Sequence, residues 1–476
     1  MTDLTQVCNQ VKRKIIPNPA LRRLVSAKAE DIRSRVEDQC KQAAFQAEVS
    51  VQGSVAKDTW VRGNADVDIF MRVSPELSKE ELRDVCLPIA KRALAPNLIV
   101  ERYAEHPYVE TTIPLANHLA LRVNVVPCYK VEKGQWLSAT DRSPYHTEYM
   151  TQHLTAQQRD EVRLLKAFLR GIGSYGADIK TGGFSGMLCE TLIASYGDFR
   201  RVVERFTNWQ TTNVTDLEGY YRERPEEARQ VFNEPLIVID PVDKGRNLGA
   251  AVREQQLWNF VAASRHLLKK PSYALFNERK IQPITLREFQ QALKNRPSTL
   301  LCLVTSRIDA VVDILWSQLY RTERALVTLL RNNDFNVLRS LTWSDEKTVN
   351  VILFDLELAD LSLARKHVGP PVSKVRESDS FLAKHIKSNR TVSGPWIEGE
   401  RWTVERRRGV VSAIDLLASS LKSGGRQIGI ASLLSESFRK RALILTNESV
   451  GQLLRKNEEF ACVMRTYLKG RPVWLD

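Results

Sequence analysis

Residues 65–73, ADVDIFMRV, put two carboxylates on alternate positions of an otherwise apolar strand. Successive strand side chains point to opposite faces, so Asp66 and Asp68 share one face while Val67, Ile69 and Met71 share the other. Burying one unpaired ion costs on the order of several kcal/mol, and the two acids also repel each other. A positive group must therefore sit between them, and two hard oxygen donors side by side suit Mg²⁺ bound jointly with substrate phosphates. Gly53 and Ser54, about twelve residues before the first acid, are expected to form a turn whose N–H groups and hydroxyl grip a phosphate. A lone D-x-D is commonly a solvated edge or turn. Here the Gly-Ser pair, the basic Lys57 and Arg62 in between, and the apolar strand around the acids favour the metal reading.

Around this strand the pattern is mixed. An amphipathic helix is expected over 20–46, strands over 47–53 and 65–73, a helix over 75–94, then the strands LIVERYA (98–104), YVETTI (108–113) and HLALRVNVVPCY (118–129). From about 151 the texture turns helical, over 156–173, 182–206 and 249–268, interrupted by the apolar PLIVID at 235–240. Later, TLLCLVTS and VNVILFDLEL read as strands around the helix IDAVVDILWSQLYRTERALVTLLRN. Pro370-Pro371 marks a turn or boundary, because proline halts both helix and ladder. The fold class expected is α+β in several domains. These are a catalytic head over 1–150, a helical nucleotide-binding neck over 151–280, an α/β body over 281–366 and a basic tail over 367–476.

No apolar run approaches the ~20 residues that span a bilayer, and the first residues lack the apolar stretch of a signal peptide, which points to the cytoplasm. The seven cysteines lie far apart with no Cys-x-x-Cys pair and are expected to be reduced and mostly buried. Lys and Arg exceed Asp and Glu by 14 charges, a surplus suited to a polyanion once a phosphate-handling site accompanies it.

GSVAKDTWVRGNADVDIF (53–70) resembles the Gly-Ser…Asp-x-Asp signature of the polymerase-beta-type nucleotidyltransferases, and most closely that of the class I, archaeal-type CCA-adding enzymes. VVPCYK (125–130), DRSPYHTEY (141–149), EVRLLKAFLRGIGSYGADIKTGGFSGMLCE (161–190), VIDPVDKGRN (238–247) and HVGPPV (367–372) extend the resemblance in order over most of the chain. It implies a polymerase-beta-like head and a tRNA nucleotidyltransferase that builds or repairs the 3′-terminal CCA from CTP and ATP without a template. The tRNA 3′-hydroxyl would attack the α-phosphorus and pyrophosphate would leave, with two metal ions about 3.5–4 Å apart at the acids. By position the resemblance assigns Gly53, Ser54, Lys57, His146, Lys166 and Tyr175 to the triphosphate and Arg246 to the base edge, whose directed donors suit cytosine and adenine. Outside that motif, Lys166 reads as an exposed helix lysine and Tyr175 as a core aromatic.

One position departs from the family. Its third carboxylate, just before Val-Val-Pro-Cys-Tyr, is Asn124 here, on the same polar face of its strand as Arg122. An amide oxygen coordinates Mg²⁺ weakly and cannot take a proton from an attacking hydroxyl. Either the change stalls the enzyme deliberately, or it marks a lineage with altered chemistry, or another acid such as Glu110 replaces the lost ligand.

Partners implied are tRNA, through its acceptor stem and TΨC arm, and CTP and ATP. No membrane is implied, and a homodimer is allowed. A-form RNA is recognised largely through shape, phosphates and 2′-hydroxyls, so Arg406, Arg407, Arg408, Lys469 and Arg471 are candidate tRNA contacts, although a charge run is more often a solvated face. The rival readings are another enzyme of the superfamily, such as a poly(A) polymerase, and an inactive RNA-binding protein on the same scaffold.

Overall fold

Two helices, not one, lead into the first sheet. In the computed structural model, which describes residues 3–103, 106–115 and 120–475, α1 (Leu4–Ile15) precedes the expected helix and buries Leu4, Val7 and Val11. The expected helix is α2 (Pro19–Gln42), shorter at its end than the 20–46 read from the sequence. Asn18 caps it by accepting the Leu21 N–H at 2.8 Å, and proline at the first helical position needs no donor there. Its buried residues Val25, Ala29, Ile32, Val36 and Cys40 recur every three or four positions, the spacing of one helical face.

That face covers a five-stranded sheet of β1 (Glu48–Gln52), β2 (Asp66–Val73), β3 (Ile99–Tyr103), β4 (Pro107–Pro114) and β5 (Ala120–Tyr129), in the order β1-β2-β5-β4-β3. A short turn of helix, α3 (Gly53–Ala56), joins β1 towards β2, and α4 (Lys79–Glu81) runs through a π-helical turn into α5 (Leu87–Leu94). Val67, Ile69, Met71, Leu121 and Val123 are fully buried on the helix-covered face, each contributing about 1.5–3 kcal/mol. The strand β2 runs parallel to β5, with Asp66 opposite Arg122 and Asp68 opposite Asn124, while β4 places Glu110 opposite Asn124. The polar face anticipated from the alternation is therefore one continuous row. His118 and Leu119 of one expected strand, and Ala104 of another, lie outside the described residues.

Helices α6 (Ser143–His153), α7 (Ala156–Gly171), α8 (Gly186–Tyr196) and α9 (Phe199–Thr207) follow. The single helical run expected over 182–206 is broken because Gly197 adopts φ +95° between α8 and α9, a left-handed turn open to glycine. A small sheet of β6 (Val214–Thr215), β7 (Ile237–Asp240) and β8 (Asp243–Asn247), with α10 (Pro225–Val231) and α11 (Glu254–Lys269), completes this part. Phe168, Phe184, Phe199, Phe206 and Phe260, all fully buried, form its aromatic core.

The chain divides into two compact units, Met1–Lys280 with Pro472–Asp476, and Ile281–Arg471. In the second, α12 (Leu286–Lys294) and α13 (Val312–Asn332) accompany a sheet ordered β10-β11-β9-β15, built from β9 (Thr299–Ser306), β10 (Val337–Ser344), β11 (Val349–Leu356) and β15 (Leu443–Thr446). A separate sheet of β12 (Ala364–Pro371), β13 (Thr391–Glu398) and β14 (Arg401–Arg407), ordered β12-β14-β13, packs against α14 (Val375–Ile386). Pro370 and Pro371 are the last residues of β12, an edge strand where proline is tolerated, and the turn comes after them. All seven cysteines are free, and five of them are buried. No helix among the described residues is long and apolar enough to cross a membrane.

Candidate active site

On the open face of the first sheet, Arg122 meets Asp66 in a two-pronged ion pair, Nε to Oδ1 at 2.8 Å and Nη2 to Oδ2 at 2.7 Å. Asn124 Nδ2 donates to Asp68 Oδ1 at 2.9 Å. The amide is constrained to that orientation because its oxygen would otherwise face a carboxylate. Asn124 Oδ1 is buried without a hydrogen-bond partner. Burial pushes the Asp68 carboxyl up to about 6, aided by the charge of Asp66 and opposed by the Asn124 hydrogen bond. An orphaned amide oxygen beside a carboxylate is a donor set that fits a hard divalent cation. Glu110, offered by the sequence as a replacement acid, is not brought to the pair. It stands across from Asn124 on β4, two strands from Asp68, and accepts from Arg102 Nη2 at 2.9 Å. Among the described residues no group of three His, Cys, Asp or Glu is placed to hold a metal.

Gly53 has φ +71°, and a Cβ there would lie 2.2 Å from Asp68 Oδ2. Glycine is thus required both by the backbone and by the close approach of the acid. Gly53→Ala is expected to cost on the order of 1–3 kcal/mol in strain and to displace Asp68. The check is CTP affinity by calorimetry, weakened at least about tenfold (~1.4 kcal/mol) while the helix and sheet circular-dichroism signature is retained. Ser54 is half-buried in α3, where its carbonyl accepts the Thr59 N–H at 2.9 Å.

A cavity of about 340 Å³ opens over these groups, lined by Gly53, Lys57, Asp68, Asn124 and His146 among others. Beneath it, Lys57 and Lys166 converge on one buried carboxylate, Glu190. Lys57 Nζ pairs with Glu190 Oε2, and Lys166 Nζ lies 3.2 Å from Oε1 and 3.1 Å from Thr59 Oγ1. Lys166 is 2% exposed, so it is not the exposed helix lysine that α7 alone suggests. Burial would raise the Glu190 pKa, but the charges of Lys57 and Lys166, with hydrogen bonds from Lys57 and Thr59, outweigh it and hold it at about 2. Tyr175, half-buried, stacks its ring under Arg170 with the guanidinium 4.7 Å from the centroid. Its hydroxyl and the Lys166 ammonium flank Gly186, 3.5 and 3.6 Å from where a Cβ would stand.

A second cavity, of about 510 Å³, shares Ser143, His146 and Met187 with the first and reaches Glu234 and Arg246. At the junction sits Asp240, fully buried at the end of β7. Its two oxygens lie 2.9 and 2.8 Å from His146 Nε2, and Oδ2 lies 3.4 Å from Arg246 Nη1. Burial works against its charge, but the His146 hydrogen bond and charge, the Val242 N–H and Arg246 keep its pKa below the ordinary value.

The structure thus brings together Gly53, Lys57, Asp66, Asp68, Asn124, His146, Lys166, Tyr175 and Arg246. Sequence reasoning missed Glu190 and Asp240, which bind these residues to one another. The available signal was an acid closing an apolar run, in GMLCE and LIVID.

In the second unit, Arg406 and Arg407 lie on β14, Arg407 exposed, and Lys469 and Arg471 are exposed. Arg408 is held within the fold, by Asp334 Oδ2 at 3.2 Å and by the carbonyls of Ser362 and Ala364 at 3.0 and 2.7 Å.

Family models match in series along the chain: a nucleotidyltransferase domain over 32–146, a tRNA nucleotidyltransferase second domain over 160–277 and a CCA-adding enzyme C-terminal domain over 296–444. A CCA-adding enzyme of Methanopyrus kandleri is 33% identical over 99% of this chain and 98% of its own. One from Halobacterium salinarum is 34% identical over 87% and 88%. Among solved structures, E. coli MS115-1 CdnC with ATP overlaps 58% of this chain and 95% of its own at TM-score 0.43 and 15% identity.

Proposed function

The chain belongs to the CCA-adding enzymes, tRNA nucleotidyltransferases that add CCA to tRNA from CTP and ATP without a nucleic-acid template, and from that premise we propose how its residues divide the work. Asp66 and Asp68 hold Mg²⁺ together with the nucleotide triphosphate. Bound there, the ion would supply charge neutralisation to the phosphates that leave as pyrophosphate. Lys57 and Lys166, with Tyr175 and the Gly53-Ser54 turn, receive the triphosphate, and His146 borders it. Arg246 presents its fork to the base edge in the larger cavity, where cytosine and adenine offer matching acceptors. Alignment and fixed charge supply most of the acceleration.

The observation that carries this reading is the shared wall. His146 lines both cavities and is tied through Asp240 to Arg246, so the cavity that Asp68 lines and the cavity that Arg246 lines share a wall. Residues 1–150 act as the catalytic head, 151–280 as the neck that completes the nucleotide site, and 281–366 and 367–476 as body and tail along the tRNA acceptor stem and TΨC arm. There Arg406, Arg407, Lys469 and Arg471 meet phosphates, Arg408 serving the fold instead. The protein works in the cytoplasm, and a homodimer is compatible with this division.

The test is calorimetric titration with CTP in the presence and absence of Mg²⁺. Uptake is expected to depend on the ion, to vanish when Asp66 and Asp68 are both replaced by Asn, and to weaken as pH falls through about 6, where Asp68 takes up a proton that the ion must displace. Ion-independent uptake, unchanged in the double variant, would overturn the assignment.

A further inference from the structure

We propose that Arg163, which lines neither cavity, is a positioning residue for the nucleotide: its guanidinium fixes the backbone of residues 58–60 against α7, and with it the place of the Lys57 ammonium. The proposal rests on the assignment of Lys57 to the triphosphate and adds the group that acts through it.

Arg163 is fully buried, and a guanidinium is enclosed in this way only where its donors are satisfied. Its Nε donates to the Trp60 carbonyl at 2.8 Å, its Nη2 to the Asp58 carbonyl and to Asp58 Oδ1, and its Nη1 to Asp160 Oδ1 at 2.6 Å. Between those two carbonyls, that of Thr59 accepts from Lys166 Nζ at 3.2 Å. Three successive peptide carbonyls are thus held by two cations three residues apart on one face of α7. Apart from Asp160 on its own helix, every hydrogen-bond partner of Arg163 among the described residues lies in this short segment.

The segment needs holding. Asp58 has φ +50°, a left-handed conformation that a residue other than glycine keeps only where its surroundings impose it. The same stretch is laced to the Gly53-Ser54 turn, with the Lys57 N–H on the Gly53 carbonyl at 3.2 Å and the Thr59 N–H on the Ser54 carbonyl at 2.9 Å. Its side chains reach the nucleotide site from there: Lys57 pairs with Glu190, and the Thr59 hydroxyl donates to the same carboxylate. If the carbonyls turn away from α7, Asp58 relaxes and Lys57, the residue before it, swings out of place. Lysine cannot do this work, because one ammonium does not span two carbonyls two residues apart as a planar fork does.

The test compares KM and kcat for CMP addition from CTP to a tRNA ending before its CCA, at saturating tRNA and Mg²⁺. The chains are the unaltered protein, Arg163→Lys, Lys57→Met and the double variant. Lys57→Met is expected to raise the KM for CTP about tenfold, ~1.4 kcal/mol, and Arg163→Lys to raise it by a similar factor. In both, kcat should stay within about twofold, because these contacts serve ground and transition state alike. The double variant is expected to rise about tenfold as well, since Arg163 then has no ammonium to place. A rise of about a hundredfold, the product of two independent effects, would mark Arg163 as a support of the fold at large and overturn the proposal. So would an Arg163→Lys variant with unchanged KM, or one that loses kcat alone. An unchanged KM in Lys57→Met would overturn the triphosphate assignment itself, and the proposal with it. Should Arg163→Lys not fold, hydrogen exchange of the unaltered chain decides. The amides of residues 57–59 are expected to be protected without CTP and no more so with it, and protection that arises only with CTP would overturn the proposal.

Discussion

Replacing Asn124 with aspartate is expected to raise the single-turnover rate of CMP addition to a tRNA ending before its CCA by about 10²-fold or more, the low end of what a positioned proton acceptor contributes. The amide is now a donor: its Nδ2 bonds Asp68, and it can neither accept the proton of an attacking hydroxyl nor add charge to hold an ion. An aspartate at the same place on β5 stands directly across from Asp68, in the row that also holds Asp66 and Arg122. The gain has a cost without the ion. Two carboxylates at that spacing repel, and burial already lifts Asp68 to about 6, so the variant is expected to melt lower than its parent in chelator and to recover with Mg²⁺. Rates that match within a factor of two at saturating Mg²⁺, CTP and tRNA would remove Asn124 from the chemistry.

That Asn124 could be singled out in advance, and Arg122 not, shows where reading a sequence stops. The alternation of β2 and β5 assigns each residue to a face from period two alone, and every such assignment of Asp66, Asp68, Arg122 and Asn124 agrees with the sheet. Register is different. The strands β2 and β5 are separated by a helix and two further strands, and nothing local to either states that Asp66 lies opposite Arg122 rather than two residues away. Burial of charge is equally non-local. Lys166 sits on α7, whose sequence is rich in charge, and it becomes a core residue only because α8, starting after a Ser185 cap, delivers Glu190 to it. The helix α1 is hard to read for a related reason: only Leu4, Val7 and Val11 of its twelve residues are buried, Cys8 and Ile15 pack against the core at its edge, and the rest are polar or basic, a composition close to that of a solvated end. The split of 182–206 into two helices turns on one backbone angle at Gly197.

The second large effect belongs to Glu190. Glu190→Gln keeps the shape of the side chain and removes one charge, leaving Lys57 and Lys166, 6% and 2% exposed, facing a neutral amide. Breaking a buried ion pair by removing one partner costs about 3–5 kcal/mol, equivalent to a shift of roughly 10²–10⁴ in the folding equilibrium, and here two cations lose the same partner. The urea midpoint of the full chain is expected to fall while the slope of the transition holds, the mark of lost stability rather than altered exposure. Acid identifies the cause. The folded carboxyl is held at about 2 against an ordinary 4.5, so its contribution is complete above about 4.5 and is lost as pH falls towards 2. Parent and variant should therefore differ by the full amount at pH 7 and converge below pH 4. In the proposed nucleotide site the lysines also meet the triphosphate, and without Glu190 Lys57 loses its ion pair while Lys166 keeps only its Thr59 contacts. The variant is thus expected to raise the KM for CTP more than it lowers kcat, because these contacts hold the phosphates in ground and transition state alike. A gap in urea midpoint that stays constant from pH 7 to pH 3 would show that packing, not charge, ties α8 to the lysines, and an unchanged KM would separate Glu190 from the nucleotide site altogether.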